Sequence, residues 1–125
     1  ADLSVYEPQA RILWLGDLAF VTHLPVVDGN LNGWIGLLEE LAKKSAAIAI
    51  PGHGSWTSPG WPKMLVRQQR YLIELRRTVR QAIGDGKTLP ETLADNRVGH
   101  DQNWGVYEEF HQRNVSAAFA ELEWE

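Results

Sequence analysis

Five consecutive apolar residues, Ala46-Ala47-Ile48-Ala49-Ile50, run directly into Pro51-Gly52-His53-Gly54. A run this short, apolar on both faces and closed by proline and glycine, is a buried strand rather than a helix. It must lie inside a sheet and hand one histidine to a turn at its C-terminal end. Ile12-Leu13-Trp14-Leu15-Gly16-Asp17 repeats the design, with a carboxylate in place of the imidazole. Two such strands, if parallel and adjacent, bring Asp17 and His53 to one sheet edge, where ligands of α/β sheets bind.

The segments between agree with that architecture. Leu3 to Tyr6 and Arg11 to Leu15 read as strands joined by the turn Glu7-Pro8-Gln9-Ala10, a hairpin. It begins almost at residue 1, so the expectation is that further chain belongs upstream. Asp17 to Asn30 shows no period and reads as a loop. Leu31, Trp34, Ile35, Leu38, Leu41 and Ala42 then fall at helical spacing, with Asn30 or Asn32 as cap and Lys43-Lys44 at the end. Strand, helix and strand in this order predict an α/β protein with one mixed sheet. Pro51 to Pro62 is a loop.

A long helix is expected from about Trp61 to Ile83, its inner stripe Trp61, Leu65, Gln68, Leu72, Leu75, Val79 and Ile83, stopped by Gly84-Asp85-Gly86. Thr88-Leu89-Pro90-Glu91 has capping-box form and predicts a short helix over Leu89 to Ala94. Asp95 to Asn103 reads as a polar loop. A last helix covers about Tyr107 to Leu122, with Tyr107, Phe110, Val115, Ala118, Phe119 and Leu122 inward. Helices cover only part of so small a sheet. Its other face is expected to meet a partner or further chain.

Composition narrows the function classes. One domain is the prior for 125 residues. A hydrophobic share of 44% with 22% charged residues belongs to a folded chain, and the net charge of -4 argues against nucleic acid as partner. There is no cysteine, hence no disulfide, thiolate ligand or cysteine nucleophile. No apolar run approaches the ~20 residues that span a bilayer. The start carries no signal-peptide pattern, and a mature chain from which a leader had been removed would begin the same way.

The chemistry-bearing residues are therefore few. Of the four histidines, His53 sits between two glycines; locally it is as readily a surface loop residue as a metal ligand. Asp17 alone reads as a turn or cap aspartate, and gains meaning only beside His53. Catalytic zinc takes about three protein ligands plus water, and His23 or Asp28 could add one, although each reads first as a solvated loop residue. His100 falls in a loop, and His111, beside Phe110, reads as a packed core histidine. The cations Lys63, Arg67, Arg70, Arg76, Arg77 and Arg80 read as a solvated helix face, with Arg70 and Arg77 flanking Glu74. Trp14, Trp34, Trp56, Trp61 and Trp104 serve core packing or a pocket equally well. No nucleophile elbow, phosphate loop or dinucleotide fingerprint is present.

Gly16-Asp17-Leu18-Ala19-Phe20, Pro25-Val26-Val27-Asp28-Gly29, Gly33-Trp34 and Pro51-Gly52-His53-Gly54 together resemble the C-terminal half of a metallo-β-lactamase-fold hydrolase. The ending, His111-Gln112-Arg113-Asn114-Val115 through Ala120-Glu121-Leu122-Glu123-Trp124-Glu125, is similar to the quinoprotein relay system zinc metallohydrolases, which are periplasmic. The resemblance spans essentially the whole chain. It implies half of a four-layer αββα sandwich, one mixed sheet with helices on one face. It also implies a two-zinc site between the sheets, in which Asp17 bridges the metals and His53 is the last ligand of the second. The nucleophile of that family is a metal-bound hydroxide acting on a small-molecule substrate. The family's His-x-His-x-Asp-His motif is absent. The resemblance thus implies a C-terminal portion of a zinc hydrolase, inactive alone, whose partner is the missing N-terminal half or a second copy. The alternative is a stand-alone binding or assembly module that dimerises through its open sheet face.

Overall fold

In the computed structural model, which describes residues 2–94 and 103–125, three strands and four helices follow one another as β1 (Val5–Glu7), β2 (Ile12–Phe20), α1 (Leu31–Ala42), β3 (Ile48–His53), α2 (Met64–Gly84), α3 (Leu89–Ala94) and α4 (Tyr107–Leu122). The sheet order is β1-β2-β3. β1 pairs antiparallel with β2, Val5 opposite Trp14 and Glu7 opposite Ile12. β2 pairs parallel with β3, Ile12 opposite Ile48 and Trp14 opposite Ile50. The chain is thus an α/β protein with one mixed sheet. The expected loop over 95–103 and His100 lie outside the described residues, Asn103 excepted.

Local chemistry sets the boundaries. The Glu7 carboxylate accepts from the backbone N–H groups of Gln9 and Ala10, closing the β1–β2 turn. Asn30 caps α1, its Oδ1 accepting from Gly33 N at 2.7 Å. A second acceptor comes from far along the chain: the Glu121 carboxylate takes the N–H groups of Leu31 and Asn32, at 2.6 and 3.2 Å. Asn32 is no cap; its side chain meets Arg76 and Glu125. The capping box forms as its sequence requires, Thr88 N donating to Glu91 and Glu91 N to Thr88 Oγ1. α2 begins at Met64, three residues after the expected Trp61, whose indole N–H instead donates to Lys44 O at the end of α1.

The sheet has an inner and an outer face. Leu13, Leu15 and Ala49 point inward and are buried with Leu31, Ile35, Leu38 and Leu41 of α1, Leu65, Leu72, Leu75 and Val79 of α2, and Val115, Ala118 and Leu122 of α4. On the outer face Val5 and Trp14, directly opposite one another, are 50% and 40% exposed, beside half-buried Ile12, Ile48 and Ile50. Trp14 and Trp56 are therefore not core residues, while Trp104 is buried with Arg67 stacked on its ring. On α4 the inner positions fall to His111 and Asn114, and Phe110 and Phe119 are only half-buried. The polar pair displaces the aromatics because it has hydrogen-bond partners inside. Among the described residues no helix is long and apolar enough to cross a membrane.

Candidate metal centre

The strands do not end where their apolar runs do. β2 continues through Gly16 and Asp17 to Phe20, and β3 continues through Pro51 and Gly52 to His53. The turn follows His53 and is made by Gly54, at φ 109°. Between the Trp14–Ile50 and Phe20–His53 pairs, β2 takes six residue steps where β3 takes three. The surplus bulges out of the ladder, as extra residues in one strand must. Gly16 turns at φ 51° and Gly52 passes so close that a Cβ there would strike the Gly16 carbonyl. Only glycine permits that approach.

The bulge presents Asp17. Its Oδ1 lies 3.2 Å from His53 Nε2, with 70% of the Asp17 side chain and 42% of the His53 side chain exposed. The contact is a hydrogen bond in which the imidazole N–H donates to the carboxylate. The same separation suits two ligands of one ion: donors about 2.0–2.1 Å from a tetrahedral zinc stand about 3.3 Å from each other. The donor types, a carboxylate oxygen and an imidazole nitrogen, are those zinc accepts. Asp17 and His53 therefore fit as part of a metal site.

Several groups hold this edge in place. Phe20 stacks on the His53 ring at 4.6 Å and 9°. Val21 N donates to His53 O at 2.8 Å. Gln68, fully buried on α2, accepts from Phe20 N at 2.6 Å and donates to Leu18 O at 2.8 Å. A side-chain amide thus pairs two backbone groups at this end of β2. Trp34 adds its indole N–H to the same carbonyl at 3.1 Å.

Beside Asp17 opens a cavity of about 520 Å³, walled by Asp17, Phe20, Asp28, Asn30, Trp34 and Leu37 among others. The loop carrying Asp28 is tied to the helices by Asn114, whose Oδ1 accepts from Val27 N at 2.8 Å and whose Nδ2 donates to Pro25 O at 2.7 Å. Asn114 Nδ2 also donates to the Tyr71 hydroxyl, which donates onward to His111 Nδ1 at 2.9 Å. Burial pushes the Tyr71 hydroxyl well above its usual range and His111 down to about 4, so both are neutral. His111 is a core residue, as expected, stacked on Tyr107 at 4.6 Å.

The structure thus brings together Asp17 and His53 and places Asp28 on the wall of the adjoining cavity. His23, in the segment after β2, has its ring centre 6.1 Å from that of His53. Among the described residues no three His, Cys, Asp or Glu side chains converge closely enough to hold an ion as they stand. On the basic face of α2, Arg77 pairs with Glu74 and Arg80 with Glu125. Phe20, Gln68 and Asn114 were not singled out as site residues from the sequence. The one available signal was Gln68 on an apolar stripe, a buried amide that requires partners. No protein-family model matches the chain, and no curated protein matches it.

Proposed function

We propose that this chain is one half of a zinc-dependent hydrolase of metallo-β-lactamase fold, with Asp17 the carboxylate between two metals and His53 the last ligand of the second. One observation carries the reading: parallel pairing of β2 with β3 sets Asp17 Oδ1 and His53 Nε2 3.2 Å apart at an exposed sheet edge beside a cavity. A bound ion would supply Lewis acidity and an activated water. The chain supplies a carboxylate at Asp17, an imidazole nitrogen at His53, and Phe20 and Gln68 to keep both in place. The small-molecule substrate would lie in the cavity along Trp34 and Leu37. The outer sheet face supports the four-layer arrangement, because a parallel strand pair is normally covered on both sides. Cover would come from an N-terminal half or a second chain. By its resemblance to the quinoprotein relay group, the protein works in the periplasm.

Alone, the chain is expected to lack turnover. Hydrolysis of β-lactam, lactone or thioester substrates by the 125 residues with stoichiometric zinc, lost in Asp17→Asn, would overturn that expectation. A second reading is favoured by exposed Val5 and Trp14: a binding module that dimerises through the outer face. Sedimentation at micromolar concentration decides it. A dimer that dissociates in Trp14→Glu supports the module, and a monomer in the unaltered protein rules it out.

A further inference from the structure

Beyond the Asp17–His53 pair, the segment after β2 is built with unusual care for an exposed stretch. Gly105 N donates to Thr22 O and Leu24 N donates to Gly105 O, both at 2.9 Å, so the backbone is clamped on either side of His23. One residue earlier, Val21 N is fixed to His53 O. The His23 ring lies against Gly105, where an added Cβ would stand 2.8 Å from Cδ2. Its ring centre is 6.1 Å from that of His53, with the planes 31° apart. Two imidazoles on one tetrahedral ion, with metal–nitrogen bonds of about 2.0–2.1 Å, have ring centres about 5 Å apart. The difference is about an ångström, and an exposed side chain covers it by a rotamer adjustment on the ps–ns scale.

We propose that His23 is a third ligand of a single divalent-cation site formed with Asp17 and His53 within this one chain. The inference rests on the reading of Asp17 and His53 as ligands. It adds that the chain can hold one ion without the rest of the sandwich. Three protein ligands would leave one tetrahedral position for water or substrate. Gly105 becomes the residue that leaves the His23 ring room to sit there.

The test is titration of the 125-residue chain with zinc by calorimetry and with cobalt by its d–d absorption, in the unaltered protein and in His23→Ala, His53→Ala and Gly105→Ala. The expected result is one ion per chain, a tetrahedral cobalt spectrum, affinity at least tenfold weaker in His23→Ala and His53→Ala, and several-fold weaker in Gly105→Ala. Binding that is lost in His53→Ala and unchanged in His23→Ala overturns this inference and leaves the two-ligand reading intact. No binding by the unaltered chain overturns this inference and leaves standing the reading of Asp17 and His53 as part of a site that a further half completes. Should a variant fail to fold, as judged by circular dichroism, NMR of the unaltered protein decides. Diamagnetic zinc then shifts the ring nitrogens of His23 and His53 together, and shifts confined to His53 overturn the inference.

Discussion

Replacing Gln68 with leucine isolates the force that holds the bulged end of β2. Leucine nearly conserves the side-chain volume, so no cavity opens in a fully buried position. What is lost is the acceptor of Phe20 N at 2.6 Å and one of two donors to Leu18 O, which keeps the Trp34 indole at 3.1 Å. Leucine offers Phe20 N no acceptor, so its N–H is left buried and unpaired. Such a group costs about 1–3 kcal/mol, and about 2 kcal/mol is expected. For a chain of 125 residues this lowers the melting temperature by roughly 8 °C, and the urea midpoint by about 1 M at a slope of about 2 kcal/mol/M.

Trp34→Phe in the unaltered background leaves Leu18 O one donor; in Gln68→Leu it leaves none. The double variant should therefore lose about 1 kcal/mol more than the sum of the singles. Hydrogen exchange at Phe20 should accelerate with the global opening rate. A Gln68→Leu protein within about 0.5 kcal/mol of the original, or strict additivity with Trp34→Phe, would show that the carboxylate edge is held by something other than this amide.

Two further outcomes follow from buried and long-range contacts. His111 is neutral in the fold, its pKa pushed down by burial to about 4 against an unfolded value near 6.5. Its contribution is therefore complete above about pH 6.5 and is lost as pH falls toward 4, because the unfolded chain binds the proton first; His111→Gln should flatten the slope of stability against pH across that window in urea melts. Glu121→Ala removes the acceptor from two amides at the start of α1 and should cost about 1–2 kcal/mol in urea unfolding, with Glu121→Gln between the two; equal stability of all three would mean that water replaces this cap.

Much of the fold was legible because its signals are local. The Thr88–Glu91 pair required a capping box and Leu65 to Val79 a helix with one buried face, and both were found in place; the run Ala46 to Ile50 required a strand, which forms shifted along the chain, over Ile48–His53. Other expectations failed where a residue's fate depends on distant chain. Phe110 and Phe119 gave up the inner face of α4 to His111 and Asn114, since Tyr71, Pro25 and Val27, all far away in sequence, satisfy those polar groups. Trp61 left the helix it was expected to begin because Lys44 O offered its indole a partner.

The Pro51-Gly52-His53-Gly54 stretch shows the division most clearly. By itself the sequence determined that a buried strand ends near a histidine, that another ends near an aspartate, and that both belong to an α/β layer. It could not show that the turn comes after His53, nor that β2 bulges by three residues so that an exposed carboxylate meets an imidazole. Register and bulge are properties of two strands at once. They are fixed by the close passage of Gly16 and Gly52 and by a glutamine on α2, and no period within either strand encodes them.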